Sequence, residues 1–129
     1  MEDREIIKIT QASMWLGEDG IVRIIWVPGA EVALADAEES MAAWVKVSLG
    51  KRRPMVVDTS QMKSLAREAR HLYASERAAK IACAVGIIVG TPVSRVLGNF
   101  YLGLSNPHLP TRLFASEDEA LQWLKGYIE

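Results

Sequence analysis

The chain has 129 residues, of which 50% are hydrophobic and 24% charged, and its formal net charge is −1. These values are typical of one soluble folded domain, so residues 1–129 are predicted to form a single domain with its own core. The balanced charge gives no basic surface for nucleic acid, and the single cysteine excludes an intramolecular disulfide and a multi-cysteine zinc site.

The sequence shows neither a signal peptide nor a membrane helix. The start of the chain, 1–5, is charged and lacks the features of a signal peptide, and no apolar stretch reaches the ~20 residues that a membrane helix needs. We therefore expect a cytoplasmic protein with no membrane span.

The first predicted elements are two strands joined by a turn. Residues 6–16 and 21–27 have strand-like patterns on either side of a glycine-containing turn, which predicts an antiparallel hairpin. Trp15 interrupts the alternation of its strand, so we expect it to cover a helix or a partner chain.

A helix and a buried strand are predicted next, followed by a second helix. Apolar residues recur at helical spacing from Leu34 to Leu49, and Gly50 is a natural C-cap. The short apolar run 54–57 predicts a strand. A second helix is predicted over 65–79, with Ser64 as its N-cap.

The stretch 81–104 predicts a strand that leads directly into a covering helix. The apolar run 81–89 has the length of a strand buried on both faces. Thr91 can cap the following helix and Pro92 fits its first position. We expect one face of this helix to pack on the sheet, with the apolar residues Val93, Val96, Leu97, Phe100 and Leu104.

A last strand over 111–115 and a helix that begins after Ser116 complete the order ββαβαβαβα. This order predicts an α/β domain with a single mixed sheet covered by helices.

No residue pattern indicates catalysis, a metal or a cofactor. The two histidines, His71 and His108, lie on different predicted elements without a ligand motif. Cys83 lies in the middle of an apolar strand, where burial makes a thiol unreactive. The glycines form neither a P-loop nor a dinucleotide-binding motif. We therefore expect a protein that is not an enzyme and has no cofactor or metal.

Two pairs of polar residues are candidate binding groups. Arg95 and Asn99 are four residues apart on the third helix, on the side opposite its apolar face. Arg67 and Arg70 lie near the start of the second helix, where a cation opposes the helix dipole. This placement indicates a partner or a counter-charge, and a salt bridge such as Arg70 to Asp58 is the alternative.

The order of elements resembles the SpoIIAA-like fold of STAS domains and CRAL-TRIO lipid-binding modules. Short segments along nearly the whole chain resemble a bacterial family of small, uncharacterised STAS-like proteins: Val57–Asp58, Ala66–Arg70, Ser94–Arg95, Gly98–Phe100 and Glu119–Leu124. The resemblance to lipid-binding modules implies an apolar cavity between the sheet and the helices, which Val96, Phe100 and Leu104 of the third helix could line, and Phe100 is therefore a further candidate binding residue.

The resemblance also implies a regulatory role with one departure. STAS domains of the anti-sigma-factor-antagonist type carry a phosphorylatable Asp-Ser-Ser-Gly-like motif at the start of the helix after the third strand. That place here holds 66–69, Ala-Arg-Glu-Ala, and the nearest upstream hydroxyl belongs to Ser64. The usual phosphorylation switch is therefore not expected, whereas the helix start is still expected to act as a docking surface.

Two function hypotheses follow. The first is a non-enzymatic regulatory or protein-interaction module that docks through the starts of its second and third helices. The second is a binder of a small apolar or lipid-like ligand, as the resemblance to CRAL-TRIO modules implies, with the third helix as a wall of the cavity. We also expect a homodimer, because Trp15, Trp26 and Tyr101 lie off the expected core faces of their elements.

Overall fold

The computed structural model describes residues 5–105 and 107–128, without the side chains of residues 100, 104 and 105. In chain order the strands are β1 (Ile7–Lys8), β2 (Ala12–Leu16), β3 (Val22–Trp26), β4 (Glu31–Val32), β5 (Arg53–Asp58), β6 (Ser64–Leu65), β7 (Ala82–Ile88) and β8 (Thr111–Phe114). The helices are α1 (Leu34–Val47), α2 (Arg67–Tyr73), α3 (Glu76–Ile81), α4 (Pro92–Ser105) and α5 (Glu117–Leu124), and a 3₁₀ turn follows at Lys125–Tyr127.

Six strands form one mixed sheet in the order β1-β2-β3-β5-β7-β8. The pairs β1–β2 and β2–β3 are antiparallel, whereas the pairs β3–β5, β5–β7 and β7–β8 are parallel. Parallel neighbours need a crossover connection, and here the helices α1 to α4 supply it. The predicted hairpin is confirmed by the β2–β3 pair, and the mixed sheet is confirmed as well, but the single strand predicted over 6–16 is divided into β1 and β2, which pair with each other.

The hairpin turn is held by a charged pair. Gly20 has φ of 83°, a conformation that suits glycine. The Asp19 carboxylate accepts hydrogen bonds from Arg23 Nη1 at 2.7 Å and Nη2 at 2.9 Å, and a third from the backbone N–H of Ile21 at 3.1 Å. This bidentate pair fixes the turn against the start of β3.

The two faces of the sheet bury two separate hydrophobic clusters. Alternate residues of the strands face opposite sides, so one row across the sheet joins Met14, Ile24, Val57 and Ile87. This row packs in the larger cluster with α1 to α4. The other face, with Val56, packs against Ala120 and Leu124 of α5.

The second predicted helix is wrong in its start and its length. Ser64 is not a helix cap: it lies in β6, which pairs in parallel with β4, and its N–H donates to the carbonyl of Ala30 at 3.2 Å. The N-cap of α2 is Ala66, whose side chain makes no cap bond. The predicted single helix is divided at Ala74, where the N–H of His108 donates to the Ala74 carbonyl at 3.0 Å.

The predicted inward face of the third long helix, α4, is confirmed at Leu97 and wrong at Val93 and Val96, while the side chains of Phe100 and Leu104 lie outside the described residues. Val93 is 55% exposed and Val96 is 64% exposed, whereas Ser94, Gly98 and Tyr101 point inward. A Cβ at Gly98 would lie 3.0 Å from both Leu113 and Val89, so only a small residue lets this helix lie so close to the sheet.

The predicted start of α4 is confirmed. The Thr91 hydroxyl accepts a hydrogen bond from the backbone N–H of Ser94 at 3.1 Å and donates to the carbonyl of Ser60 at 2.8 Å. The Ser94 hydroxyl in turn accepts from the N–H of Thr91 at 3.0 Å. Each hydroxyl thus accepts a hydrogen bond from the backbone N–H of the other residue, as in a capping box.

The first predicted helix, α1, ends two residues earlier than expected. It stops at Val47, and both Leu49 and Gly50 have a positive φ, of 56° and 75°. Two successive left-handed residues end the helix here, instead of one glycine cap.

Candidate functional site

An apolar cavity of about 80 Å³ lies between the sheet and helices α1, α2 and α4. Its floor is formed by strand residues whose side chains all point to the same face: Met14, Ile24, Trp26, Met55, Val57, Val85 and Ile87. Its walls come from the helices and the segment before α2: Ser40, Trp44, Thr59, Met62, Leu65, Tyr73, Leu97, Gly98 and Tyr101. Among these described residues none is charged.

Ser40 and Tyr73 form a hydrogen-bonded pair at one side of the cavity. The two hydroxyl oxygens are 2.6 Å apart, and the Ser40 hydroxyl also donates to the carbonyl of Ala37 at 2.8 Å. A serine hydroxyl has one hydrogen, so Tyr73 is the donor within the pair. The oxygen of Tyr73 therefore keeps its own acceptor capacity.

Trp44 and Tyr101 carry polar groups that have no partner among the described residues. Trp44 is 4% exposed, and its Nε1–H is buried with no acceptor among the described residues. Tyr101 is 6% exposed, and its hydroxyl makes no hydrogen bond to the part of the chain that the structure describes. Burial raises the pKa of Tyr101 above its ordinary value. Burial also raises the pKa of Tyr73 above its ordinary value.

The mouth of the cavity lies between α2 and α4. Thr59, Leu65, Tyr73 and Leu97 are half-buried lining residues, whereas most of the strand residues of the floor are fully buried. A molecule in the cavity therefore contacts α2 and α4. A cleft between packed elements is a common location for ligand sites.

The structure places the sequence-predicted binding residues on two separate parts of the chain, the β6–α2 segment and α4. Arg67 is exposed at the start of α2, Arg70 is half-buried on the same helix and Ser64 is half-buried in β6. Arg95 and Asn99 are exposed on α4, as predicted. The side chain of Phe100 lies outside the described residues. None of the described members of this set lines the cavity.

The residues that do line the cavity were not identified from the sequence. Trp26 and Tyr101 were assigned to surfaces off the core, and this was wrong, since both are buried against the cavity. Trp44, Tyr73 and Ser40 resemble ordinary core positions of amphipathic helices. The sequence offered one signal for a cavity, which is the clustering of tryptophan, tyrosine and methionine on the predicted inner faces. A filled hydrophobic core contains the same residue types, so this signal does not distinguish the two.

Other reactive groups lie apart from the cavity. No group of three or more histidine, cysteine, aspartate or glutamate side chains suited to a metal is found within residues 5–105 and 107–128. Cys83 lies in β7 as predicted but is half-buried, and its thiol donates to the carbonyl of Tyr127 at 3.6 Å. In the described part of the chain, no helix is long and apolar enough to cross a membrane.

Comparison with known proteins defines the family of the chain and its fold. A family model described as a domain of unknown function, DUF7793, matches residues 14–128. The chain belongs to this family. No curated protein matches it.

Two solved structures resemble this DUF7793 protein. One is an uncharacterised protein of the DUF3478 family from Shewanella loihica PV-4 with a SpoIIAA-like fold; it shares 15% identity and a TM-score of 0.61, over 96% of this chain and 97% of the other. The predicted SpoIIAA-like fold is therefore confirmed. The other is a protein of unknown function from Arthrobacter sp. FB24, with 36% identity over 86% of this chain and 96% of the other and a TM-score of 0.35.

Proposed function

We propose that this DUF7793 protein is a non-enzymatic binding module that holds a small apolar ligand in the cavity between its sheet and helices α1, α2 and α4. The observation that carries the proposal is the cavity itself, which combines an apolar lining with a buried donor, the Nε1–H of Trp44, that has no partner among the described residues. Ligand sites commonly have this composition, in which a few polar groups orient an otherwise apolar molecule. The described lining offers no carboxylate, imidazole or thiol for acid–base or nucleophilic catalysis.

The volume limits the size of the ligand. An engineered apolar cavity of about 150 Å³ binds benzene, so a space of about 80 Å³ suits a molecule of only a few non-hydrogen atoms. Met14, Met55 and Met62 line this space, and flexible thioether side chains can repack to admit a somewhat larger ligand. A long-chain lipid does not fit without a larger movement of the helices.

The test is binding of small apolar probes to a protein whose cavity is open or blocked. Methyl resonances of the three lining methionines report probe binding by NMR. Leu97→Trp places a large ring at the mouth, and Val96→Trp places the same ring on the exposed side of α4, where Val96 is 64% exposed. We expect the first substitution to abolish probe binding and the second to leave it unchanged.

Native mass spectrometry of the protein purified from its own host provides an independent measurement, in which a co-purified small molecule lost in Leu97→Trp supports the proposal. Equal probe binding by both variants, or no binding by the unmodified protein, would reject it.

A second candidate function is the regulatory or protein-interaction role suggested by the resemblance to STAS domains. It is favoured by the outer side of α4, where the apolar residues Val93 and Val96 are exposed beside Arg95. Arg67 at the start of α2 is also exposed, whereas Arg70 is half-buried and therefore a poor contact residue. The absence of a hydroxyl at positions 66–69 argues against a phosphorylation switch at this helix start.

Charge reversal tests this second candidate. If the starts of α2 and α4 dock a protein, Arg67→Glu combined with Arg95→Glu weakens capture of that protein in crosslinking from the host. Lys46→Glu combined with Lys51→Glu is the matched control, since both lysines are exposed at the far end of α1. Equal capture by the two double variants would exclude docking through these helix starts.

A further inference from the structure

We infer that the ligand of the cavity is a neutral molecule with a hydrogen-bond acceptor, such as a small ketone, aldehyde or ester, which accepts from Trp44 Nε1–H and the Tyr101 hydroxyl. This inference rests on the proposed function and deepens it by naming the ligand class. The alternative of a purely apolar occupant, or of water alone, is an outcome of the test.

The donors carry the first step. Trp44 lines the cavity and is 96% buried, being 4% exposed, yet its N–H has no acceptor among the described residues. An indole nitrogen can only donate, so its partner must be an acceptor. A buried donor left unpaired is costly, which means that a ligand oxygen placed there recovers more free energy than one bound at the surface.

Tyr101 provides the second donor. Its ring lines the same cavity from α4, and its hydroxyl bonds to no described residue. Tyr73 already donates its proton to Ser40, because the Ser40 proton is given to the carbonyl of Ala37. The described polar groups of the cavity therefore offer two free donors, on Trp44 and Tyr101.

The absence of charge in the described lining sets the second limit on the ligand. No arginine, lysine or histidine lines the cavity to pair with a carboxylate, and no aspartate or glutamate lines it to pair with an amine. An ion buried without a partner is very unfavourable, so a fatty acid and an ammonium compound are both disfavoured. A neutral carbonyl group can accept hydrogen bonds from these donors without burying a charge.

The test compares two probes of the same shape, acetone and 2-methylpropene, in which a carbonyl oxygen replaces a methylene group. Both are titrated by NMR into the unmodified protein and into Trp44→Phe, Tyr101→Phe and Trp123→Phe. The last is the matched control, since Trp123 packs against Phe114 and Tyr127 near α5 and does not line the cavity.

We expect acetone, but not 2-methylpropene, to shift the indole N–H resonance of Trp44. We also expect the ratio of acetone to 2-methylpropene affinity to fall about threefold to tenfold in Trp44→Phe and in Tyr101→Phe, the range for loss of one hydrogen bond. The ratio stays constant in Trp123→Phe. If Trp44→Phe does not fold, Tyr101→Phe and the indole resonance of the unmodified protein still decide the result.

The outcomes separate this inference from the proposed function. If both probes bind, and Leu97→Trp blocks them, but the affinity ratio is unchanged in both cavity variants, the cavity binds ligands and the acceptor requirement is wrong. If neither probe binds and Leu97→Trp has no effect, both the inference and the proposed function are wrong.

Discussion

The side chains that give the cavity its chemistry are aromatic and uncharged. Trp44, Tyr73 and Tyr101 lie on three different helices, and each brings a large apolar ring with one polar atom. Such residues fill space as a core residue does, while their polar atoms still require partners. Ordinary core packing and a selective site therefore share the same residue types here.

The buried tyrosines make stability sensitive to alkaline pH. Burial raises the pKa of both Tyr73 and Tyr101 above the unfolded value of about 10. Their stabilising contribution is therefore complete below about pH 10, and it is lost as pH rises above this value, because the unfolded chain ionises first. We expect the midpoint of urea unfolding to fall above pH 10 in the unmodified protein and to fall less in a Tyr73→Phe/Tyr101→Phe variant. Equal pH profiles for the two proteins would contradict the assignment.

The hairpin turn carries a second titration, of opposite sign. Hydrogen bonds from Arg23 lower the pKa of Asp19, so this carboxylate stabilises the fold above its unfolded pKa of about 4, and the contribution is lost as pH falls through its folded value. We expect Asp19→Asn to lower the free energy of unfolding by about 0.5–1 kcal/mol at pH 7, as for a partly exposed ion pair, and by progressively less as the pH falls below about 4.

Gly17→Ala provides a second variant at this turn, because a Cβ there would collide with the same guanidinium. It should destabilise the protein at pH 7 as well. An Asp19→Asn effect of constant size from pH 7 to pH 2 would show that the charge is not the cause.

At the scale of single elements, the cap of α4 is the strongest local contact to test. Thr91 accepts from the N–H of Ser94, donates to the carbonyl of Ser60 and is followed by a proline at the first helical position. We expect Thr91→Ala to cost about 1–2 kcal/mol in chemical denaturation. Ser64→Ala, which the sequence alone predicted to remove a cap, should change stability by less than about 0.5 kcal/mol, since Ser64 lies in β6. A larger loss of stability in Ser64→Ala than in Thr91→Ala would show that Ser64 acts as a helix cap and contradict this prediction.

The types and order of the long elements could be predicted because hydrophobic periodicity determines them. The β3–β5–β7 core and the helices between its strands all have clear apolar patterns. The strands β4 and β6 have two residues each, too few for any pattern, and they were missed. The break between α2 and α3 depends on a contact with His108, which is distant in sequence.

The face of α4 could not be predicted for a different reason. Val93 and Val96 lie on a different side of α4 from the small residues Ser94 and Gly98, and a rule that buries every apolar residue at helical spacing predicts the two valines to be inside. In the structure Ser94 and Gly98 face the sheet instead. The helix lies so close to the sheet that a larger side chain at Gly98 would meet Leu113. The residues that line the cavity could not be predicted for the same reason, since the lining depends on the distance between the helices and the sheet.

At the scale of the whole molecule, one face of the sheet is covered unequally. Helix α5 packs on β5, β7 and β8. On the same face of β3, Ile25 is 43% exposed. The neighbouring Trp15 is half-buried, and its Nε1–H has no partner among the described residues. Trp15 and Ile25 form a small strip on this face, together with the polar residues Ser13 and Arg23 that pair with them, and exposed apolar side chains on a sheet are a common contact between copies of a chain.

We therefore retain the prediction of a homodimer and place its contact on this strip. Trp26 and Tyr101 no longer support it, because both are buried in the cavity, so the prediction depends on Trp15 and Ile25. Light scattering at high micromolar concentration should give twice the mass of the chain. Ile25→Lys should yield a folded monomer, because it places a charge within the contact, whereas Leu49→Lys, at a residue 71% exposed after α1, should remain dimeric. A monomeric unmodified protein, or equal dissociation by the two lysines, would show that this strip is not a contact between copies.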